Sequence, residues 1–215
     1  MDKHKTILVI GPARSGSSAT TGALQRLGVN VGEELRVADE YNPLGFFEDL
    51  EMMKINSEIT NSVGGDYWNP PHDSCIEHGF KMNSEKVHDA INKRNVNDVW
   101  GCKANMTLTY QYWVPLLRNP KLVITFRNPI DIAESVMRAK GMEFGRALHI
   151  TNFYVNLMVE LLEKNEIEKQ YDITVVKFEE LVSKPKVVVE RLIDNIGLEV
   201  SEGQKEDAIK FIQKR

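Results

Sequence analysis

The run Ile7-Leu8-Val9-Ile10-Gly11-Pro12-Ala13-Arg14-Ser15-Gly16-Ser17-Ser18 decides the fold. Four consecutive β-branched or aliphatic residues read as a strand buried on both faces, because a half-buried strand would alternate apolar and polar positions. Glycines at 11 and 16 bound a loop, and Ser17 opens a helical pattern. Strand, glycine-bounded loop and helix together make an anion cradle: N–H groups at a helix N-terminus converge on an anion, and the helix dipole places partial positive charge there.

Three further runs share the first strand's continuous apolar character: Val99 to Cys102, Leu122 to Phe126 and Ile173 to Val176. The segments between them are long enough for crossover helices, so the strands are expected to pair in parallel. Spacing and capping residues predict helices over Ser17–Leu27, Leu50–Val63, Ser84–Lys93, Ile130–Ala139, Phe144–Asn165, Lys186–Ile196 and Glu202–Lys214. Their apolar stripes, Leu50, Met53, Ile55 and Ile59 in one, Ala147, Ile150, Tyr154, Leu157 and Leu161 in another, read as core. Gly28 to Asp49 and Gly64 to Phe80 read as irregular, and loops of that length tend to be lids or substrate walls. The expected architecture is a three-layer α/β sandwich with a central parallel sheet, built as one domain over residues 1–215.

The 215 residues carry 42% hydrophobic and 27% charged side chains, enough for a substantial core without disulfide or metal. A net charge of −4 argues against a general nucleic-acid or membrane-surface binder, which neutralises phosphates with surplus Lys and Arg. Cys75 and Cys102 form no CxxC pair and fit a reducing compartment. The apolar run near the N-terminus is too short for a signal-peptide core and no stretch reaches membrane-spanning length, so a soluble, cytoplasmic protein is expected.

The glycine loop departs from the nucleoside-triphosphate pattern, which needs Lys directly after the second glycine. That place holds Ser17, and the loop's cation is Arg14. The third strand ends in Arg127 where a triphosphatase usually offers an Asp for Mg²⁺. A guanidinium at a sheet's carboxyl edge repels a metal ion and attracts a second anion. Ser135, eight residues on, is placed to donate a hydrogen bond to the same group.

These blocks resemble the sulfotransferase superfamily, which moves a sulfuryl group from 3′-phosphoadenosine 5′-phosphosulfate (PAPS). Gly11 to Ser18 is similar to its 5′-phosphosulfate loop, which points to Arg14, Ser15, Gly16, Ser17 and Ser18 as donor-binding residues. Arg127-Asn128-Pro129 through Ser135 is similar to its 3′-phosphate motif. Asn42-Pro43-Leu44-Gly45-Phe46-Phe47-Glu48-Asp49 is similar to a block of bacterial members. Phe178-Glu179-Glu180-Leu181 with Pro185 and Ile196-Gly197-Leu198 is similar to the closing segment. The resemblance runs from about residue 5 to 198. It implies a P-loop-type fold, PAPS as donor, 3′-phosphoadenosine 5′-phosphate (PAP) as product and no metal, with fixed cations and N–H dipoles replacing Mg²⁺.

For catalysis the resemblance implies Lys103 and Arg14 as stabilisers of charge on the bridging oxygen. Two carboxylates stand as candidates for the base: Glu34, because Gly32-Glu33-Glu34-Leu35-Arg36-Val37 is similar to the base segment of tyrosylprotein sulfotransferases, and Glu48. The histidine base of cytosolic-type members is missing, since the second strand leads into Lys103-Ala104-Asn105; His72 and His78 lie in the long loop. Phe178 stands where many members have Tyr near the adenine. The Arg-Lys-Gly segment of cytosolic members is missing; Lys214 and Arg215 read first as a frayed basic tail and second as substitutes near the 3′-phosphate. The expected acceptor is a hydroxyl of a carbohydrate or small metabolite, walled by Tyr41, Phe46, Phe47, Tyr67 and Trp68. Two other readings stay open. One is a nucleotide or metabolite kinase, with Glu179 or Glu180 on Mg²⁺; the other is a relative that binds nucleotide without catalysis.

Overall fold

In the computed structural model, which describes residues 3–214, four parallel strands form one sheet in the order β2-β1-β3-β4. The strands are β1 (Lys5–Ile10), β2 (Val99–Cys102), β3 (Pro120–Phe126) and β4 (Asp172–Lys177). All four fall on the apolar runs of the sequence. Three extend one or two residues further, and at ends such as Asp172 and Lys177 a polar side chain stays wet while its backbone still pairs. Lys121 beside Asp172 and Phe126 beside Lys177 are such end pairs.

Alternation along the central strands divides the core in two. Leu8, Ile10, Leu122 and Ile124 point to one face, where they pack beneath α2 (Leu50–Asn61), α3 (Asp73–Met82), α4 (Ser84–Arg94) and α7 (Phe144–Glu168). Ile7, Val9 and Val123 point to the other, beneath α1 (Ser17–Arg26), α8 (Phe178–Ser183), α9 (Pro185–Ile196) and α10 (Glu202–Gln213). Burial on both faces explains why these strands carry unbroken apolar runs. The short α5 (Tyr110–Trp113) follows β2, and α6 (Pro129–Lys140) follows β3, capped by Asn128, whose side chain accepts the Ile130 N–H.

The stretch Gly64 to Phe80, expected to be irregular, ends in α3. His72 caps it by accepting the Ser74 N–H, and Ile76, Gly79 and Phe80 form its buried face. Gly79 hides the helical period: an added Cβ would lie 2.3 Å from the Ile59 carbonyl oxygen, so the closest contact falls on a residue without a side chain. Gly28 to Asp49 is irregular as expected, tied down by an antiparallel bridge between Leu35 and Asp49.

The chain leaves β1 towards β2 on one side and returns to β3 on the other. The strand order therefore reverses at the boundary of β1 and β3, and a crevice opens at their carboxyl ends. Gly11 and Arg127 each stand one residue beyond those ends. Among the described residues no helix is long and apolar enough to cross a membrane.

Candidate active site

The loop after β1 turns through three left-handed residues: Gly11 at φ 145°, Arg14 at φ 68° and Gly16 at φ 98°. A Cβ on Gly11 would stand 2.5 Å from the Thr125 carbonyl oxygen, and one on Gly16 would stand 2.6 Å from Cδ2 of Phe178. Only glycine meets both demands at those two positions. Side chains from three other segments hold the loop. Thr107 Oγ1 accepts the Gly11 N–H at 2.9 Å and donates to the Gly11 carbonyl at 2.8 Å. The Tyr67 hydroxyl accepts the Ala13 N–H at 2.6 Å, and Ser15 Oγ lies 2.6 Å from Thr125 Oγ1. Gly16 caps α1 without a side-chain hydrogen bond, so the first turn of α1 faces the crevice with its dipole.

A cavity of about 370 Å³ opens above this loop, at the low end of the usual range for small-molecule sites. Arg14, Gly16, Ser17, Ser18, Arg127 and Phe178 line one part of it; Arg36, Phe46, Glu48 and Lys103, in contact with one another, line another. At that second part Glu48 and Lys103 are only 3% and 7% exposed. Lys103 Nζ donates to Glu48 Oε1 at 2.6 Å and to the Phe46 carbonyl at 3.3 Å. Arg36 donates to Glu48 Oε2 at 3.1 Å and lies 3.7 Å over the Phe46 ring. Burial pushes the Lys103 pKa down, and Glu48 opposes that shift by favouring the ammonium form. Charges taken this far from water persist only when paired and hydrogen-bonded.

Arg127 projects from the loop after β3. Its guanidinium lies 4.6 Å over the Phe178 ring and donates weakly to the Arg14 carbonyl at 3.5 Å. Its Nε is buried without a hydrogen bond, with Asp131 at 3.9 Å. Arg14 Nε donates to Ser135 Oγ at 2.9 Å, and Arg14 NH2 donates to the Tyr41 carbonyl at 2.8 Å.

Several expected site residues stand apart from the cavity. Ser15 is 0% exposed and its hydroxyl is spent on Thr125, so it shapes the loop from behind. Glu34 is exposed and lines a separate hollow with Glu33, Asp49 and Arg94. The cause is register. Arg36 pairs with Glu48 and Leu35 with Asp49, which carries Glu34 on to Leu50, whose N–H bonds the Glu34 carbonyl. Arg14 does line the cavity, but it turns its guanidinium to Ser135, which lies outside the lining, and not to the Lys103 and Glu48 pair. Glu179 accepts the Asn128 N–H and Glu180 pairs with Arg191 at 2.6 Å; neither lines the cavity. His72 caps α3, His78 is exposed on it, Lys214 lines the cavity and Arg215 lies outside the described residues.

Sequence reasoning assigned no role to Arg36, Thr107 or Thr125. Arg36 sits inside the quoted segment Gly32 to Val37, and its two-residue spacing from Glu34 was the available signal. Thr107 and Thr125 carried none, because their contacts cross 96 and 110 residues of chain.

A parallel α/β sheet with a glycine loop at its switch point and guanidinium groups beside it defines an α/β protein of the P-loop type with a candidate anion site. The chain belongs to the sulfotransferase family, whose sequence profile matches residues 6–202. Solved structures agree on the fold. The sulfotransferase domain of the Synechococcus PCC 7002 olefin synthase is 16% identical, with a TM-score of 0.60 over 94% of this chain and 76% of that one. The sulfotransferase domain of the curacin biosynthetic pathway is 14% identical, with a TM-score of 0.57 over 94% and 76%. Retinol dehydratase, crystallised with androsterone and the inactive cofactor PAP, is 13% identical, with a TM-score of 0.51 over 99% and 65%. Among curated proteins none matches this chain.

Proposed function

We propose that the protein transfers a sulfuryl group from PAPS to the hydroxyl of a carbohydrate or small metabolite. The observation that carries this reading is the convergence on one cavity of the glycine loop, Arg127 with Phe178, and the buried Lys103 and Glu48 pair. Family membership supports the reaction class, and the PAP held by retinol dehydratase supports the donor.

The first-turn N–H groups of α1, with Ser17 and Ser18, hold the 5′-phosphosulfate. Arg127 and Ser135 take the 3′-phosphate, and Phe178 packs near the adenine. Lys103 has three N–H donors, of which Glu48 and the Phe46 carbonyl take two, leaving one for an oxygen of the moving group. Glu48 is the base that lies in the cavity. As the acceptor oxygen bonds to sulfur, the bond from sulfur to the bridging oxygen breaks, the proton passes to the Glu48 carboxylate, and PAP leaves. Holding donor and acceptor in line supplies much of the rate. Guanidinium and ammonium groups do the electrostatic work that Mg²⁺ does in phosphoryl transfer.

The test is thermal unfolding with PAP alone against ATP with Mg²⁺. A ligand at 100 times its Kd adds about 2.7 kcal/mol of stability. Stabilisation by PAP without metal, followed by PAP release from PAPS in an acceptor screen, supports the proposal. Stabilisation only by ATP with Mg²⁺ overturns it in favour of a kinase.

A further inference from the structure

The turn between β2 and α5 carries the chain from one half of the cavity to the other. Lys103, at its start, holds Glu48 at 2.6 Å, and Thr107, near its end, clasps the N–H and carbonyl of Gly11 in the glycine loop. Asn105 is the residue midway between them, and it lines the cavity. Its neighbours Ala104 and Met106 are both 0% exposed, so the turn is anchored on either side of it. Asn56 of α2, itself buried, donates from Nδ2 to the Asn105 carbonyl at 3.1 Å and accepts from the Thr109 hydroxyl through Oδ1. The backbone of Asn105 is thus fixed, and its side chain has no share in fixing it: the carboxamide makes no hydrogen bond among the described residues.

Asn105 stands at φ 57°, in the left-handed region. Asparagine tolerates that region better than most residues, but glycine takes it at lower cost. Asn119, at φ 43°, shows how a left-handed asparagine serves the fold: its Nδ2 donates to the His4 carbonyl at 3.1 Å. Asn105 has no such use for its carboxamide, and it stands where the cavity passes from the Glu48 carboxylate to the glycine loop. Backbone strain of this kind gathers at functional sites. Charges in this stretch of wall are already matched, since Lys103 and Arg36 both answer Glu48. A charged substituent on the acceptor would upset that balance, whereas a hydroxyl can donate to the amide oxygen and accept from the amide nitrogen.

We infer that Asn105 is a specificity-determining residue that reads a second hydroxyl of the acceptor, beside the one that receives the sulfuryl group, so that the acceptor is a polyol. The inference rests on the proposed transfer from PAPS and narrows its acceptor. A monohydric alcohol or a phenol is rejected because the amide then loses water without regaining a hydrogen bond. Asn105 takes no part in proton transfer or in holding the nucleotide.

The experiment follows PAP formed from PAPS by wild type, Asn105→Gly and Asn105→Asp. Methyl glycosides of hexoses and inositols are the polyol probes, with their monodeoxy analogues, cyclohexanol and phenol as controls. Ligand-free melting temperatures and calorimetric PAP affinities are measured alongside. Gly keeps the left-handed turn and removes the carboxamide alone. In wild type the best polyol is expected to exceed its monodeoxy analogue in kcat/KM at least about tenfold. Asn105→Gly is expected to lose that preference, through a rise in KM for the polyol, with PAP affinity within about twofold of wild type and a melting temperature no lower. A side chain that merely shaped the turn would move the melting temperature and leave the ratio of polyol to analogue alone. An unchanged ratio in Asn105→Gly, a wild type that accepts cyclohexanol or phenol as well as any polyol, or one that accepts no polyol overturns the inference. Should Asn105→Gly not fold, Asn105→Asp, which tolerates the left-handed turn and lacks both amide donors, is judged by the same ratio. Wild type that fails to bind PAP refutes the donor reading itself, a result distinct from these.

Discussion

Glu48→Gln separates a catalytic carboxylate from a structural one. In the folded protein Glu48 answers two cations at once, Lys103 at 2.6 Å and Arg36 at 3.1 Å, with its side chain 4% exposed and that of Lys103 8%. Removing one partner of a buried pair costs about 3 to 5 kcal/mol, because the other charge stays desolvated. Gln keeps the volume and one acceptor, which places the expected loss near the lower figure. At 2 to 4 °C per kcal/mol for a chain of this size, about 3 kcal/mol lowers the melting temperature by about 6 to 12 °C. Lys103→Met costs less, about 1 to 3 kcal/mol, because Arg36 still holds Glu48. The double variant loses less than the sum of the singles, since neither charge is then left unpaired, and the coupling is expected at about 1 to 3 kcal/mol. Turnover, followed as PAP formed from PAPS with a hydroxyl acceptor found by screening, falls about 100-fold or more in Glu48→Gln. PAP binding holds, because Glu48 lies away from Arg127 and Phe178. A coupling below about 0.5 kcal/mol, or turnover at the wild-type level, refutes the reasoning.

Four other expectations follow from single contacts. Gly16→Ala forces a Cβ to within 2.6 Å of Phe178 at φ 98°, and is expected to cost about 1 to 3 kcal/mol in thermal unfolding and to abolish PAP binding. Tyr67→Phe keeps the ring stacked 4.3 Å from Tyr154 but leaves the Ala13 N–H without its acceptor, at about 1 to 3 kcal/mol; the Ala13 amide should exchange faster with deuterium. Glu34→Ala should change neither turnover nor melting temperature appreciably, whereas a loss of turnover comparable to that of Glu48→Gln would make Glu34 the base. Glu51 is held below its usual pKa of 4.5, first by the Lys93 hydrogen bond and then by Arg94, against the opposing effect of burial. Its stabilisation is present above pH 4.5 and is lost as pH falls through the lowered folded value. Glu51→Gln should flatten that acid limb of a melting-temperature profile.

The sheet was legible because its information is local. An unbroken apolar run of four or five residues has one economical use in a chain of this size, and the long polar segments between the runs force parallel crossovers. Where local information thins, the reading fails. In α3 the buried stripe passes through Gly79, whose backbone touches Ile59, so the face that packs most tightly has no side chain to announce it. Strand ends such as Lys5, Asp172 and Lys177 are polar because they are wet, although their backbones pair.

The site was legible where one segment carries both position and partner, and illegible where two segments must meet. Arg127 and Ser135 share a loop and the helix that follows it, so eight residues of sequence contain their spacing, whereas the hydrogen bond that Ser135 makes is with Arg14, 121 residues away. Glu34 and Glu48 look alike in the sequence, each within a segment similar to known family blocks. What separates them is the register between residues 34–36 and 48–50. The bridge of Leu35 to Asp49 sets Arg36 opposite Glu48 at the cavity and leaves Glu34 outside. In an extended pair, sliding one strand by two residues keeps the faces but moves every partner about 7 Å along. Such a slide would put Glu34 where Arg36 now stands and replace a carboxylate between two cations by two carboxylates facing each other. Charge thus favours the observed register: Arg36 and Lys103 each need Glu48, and Glu34 needs water.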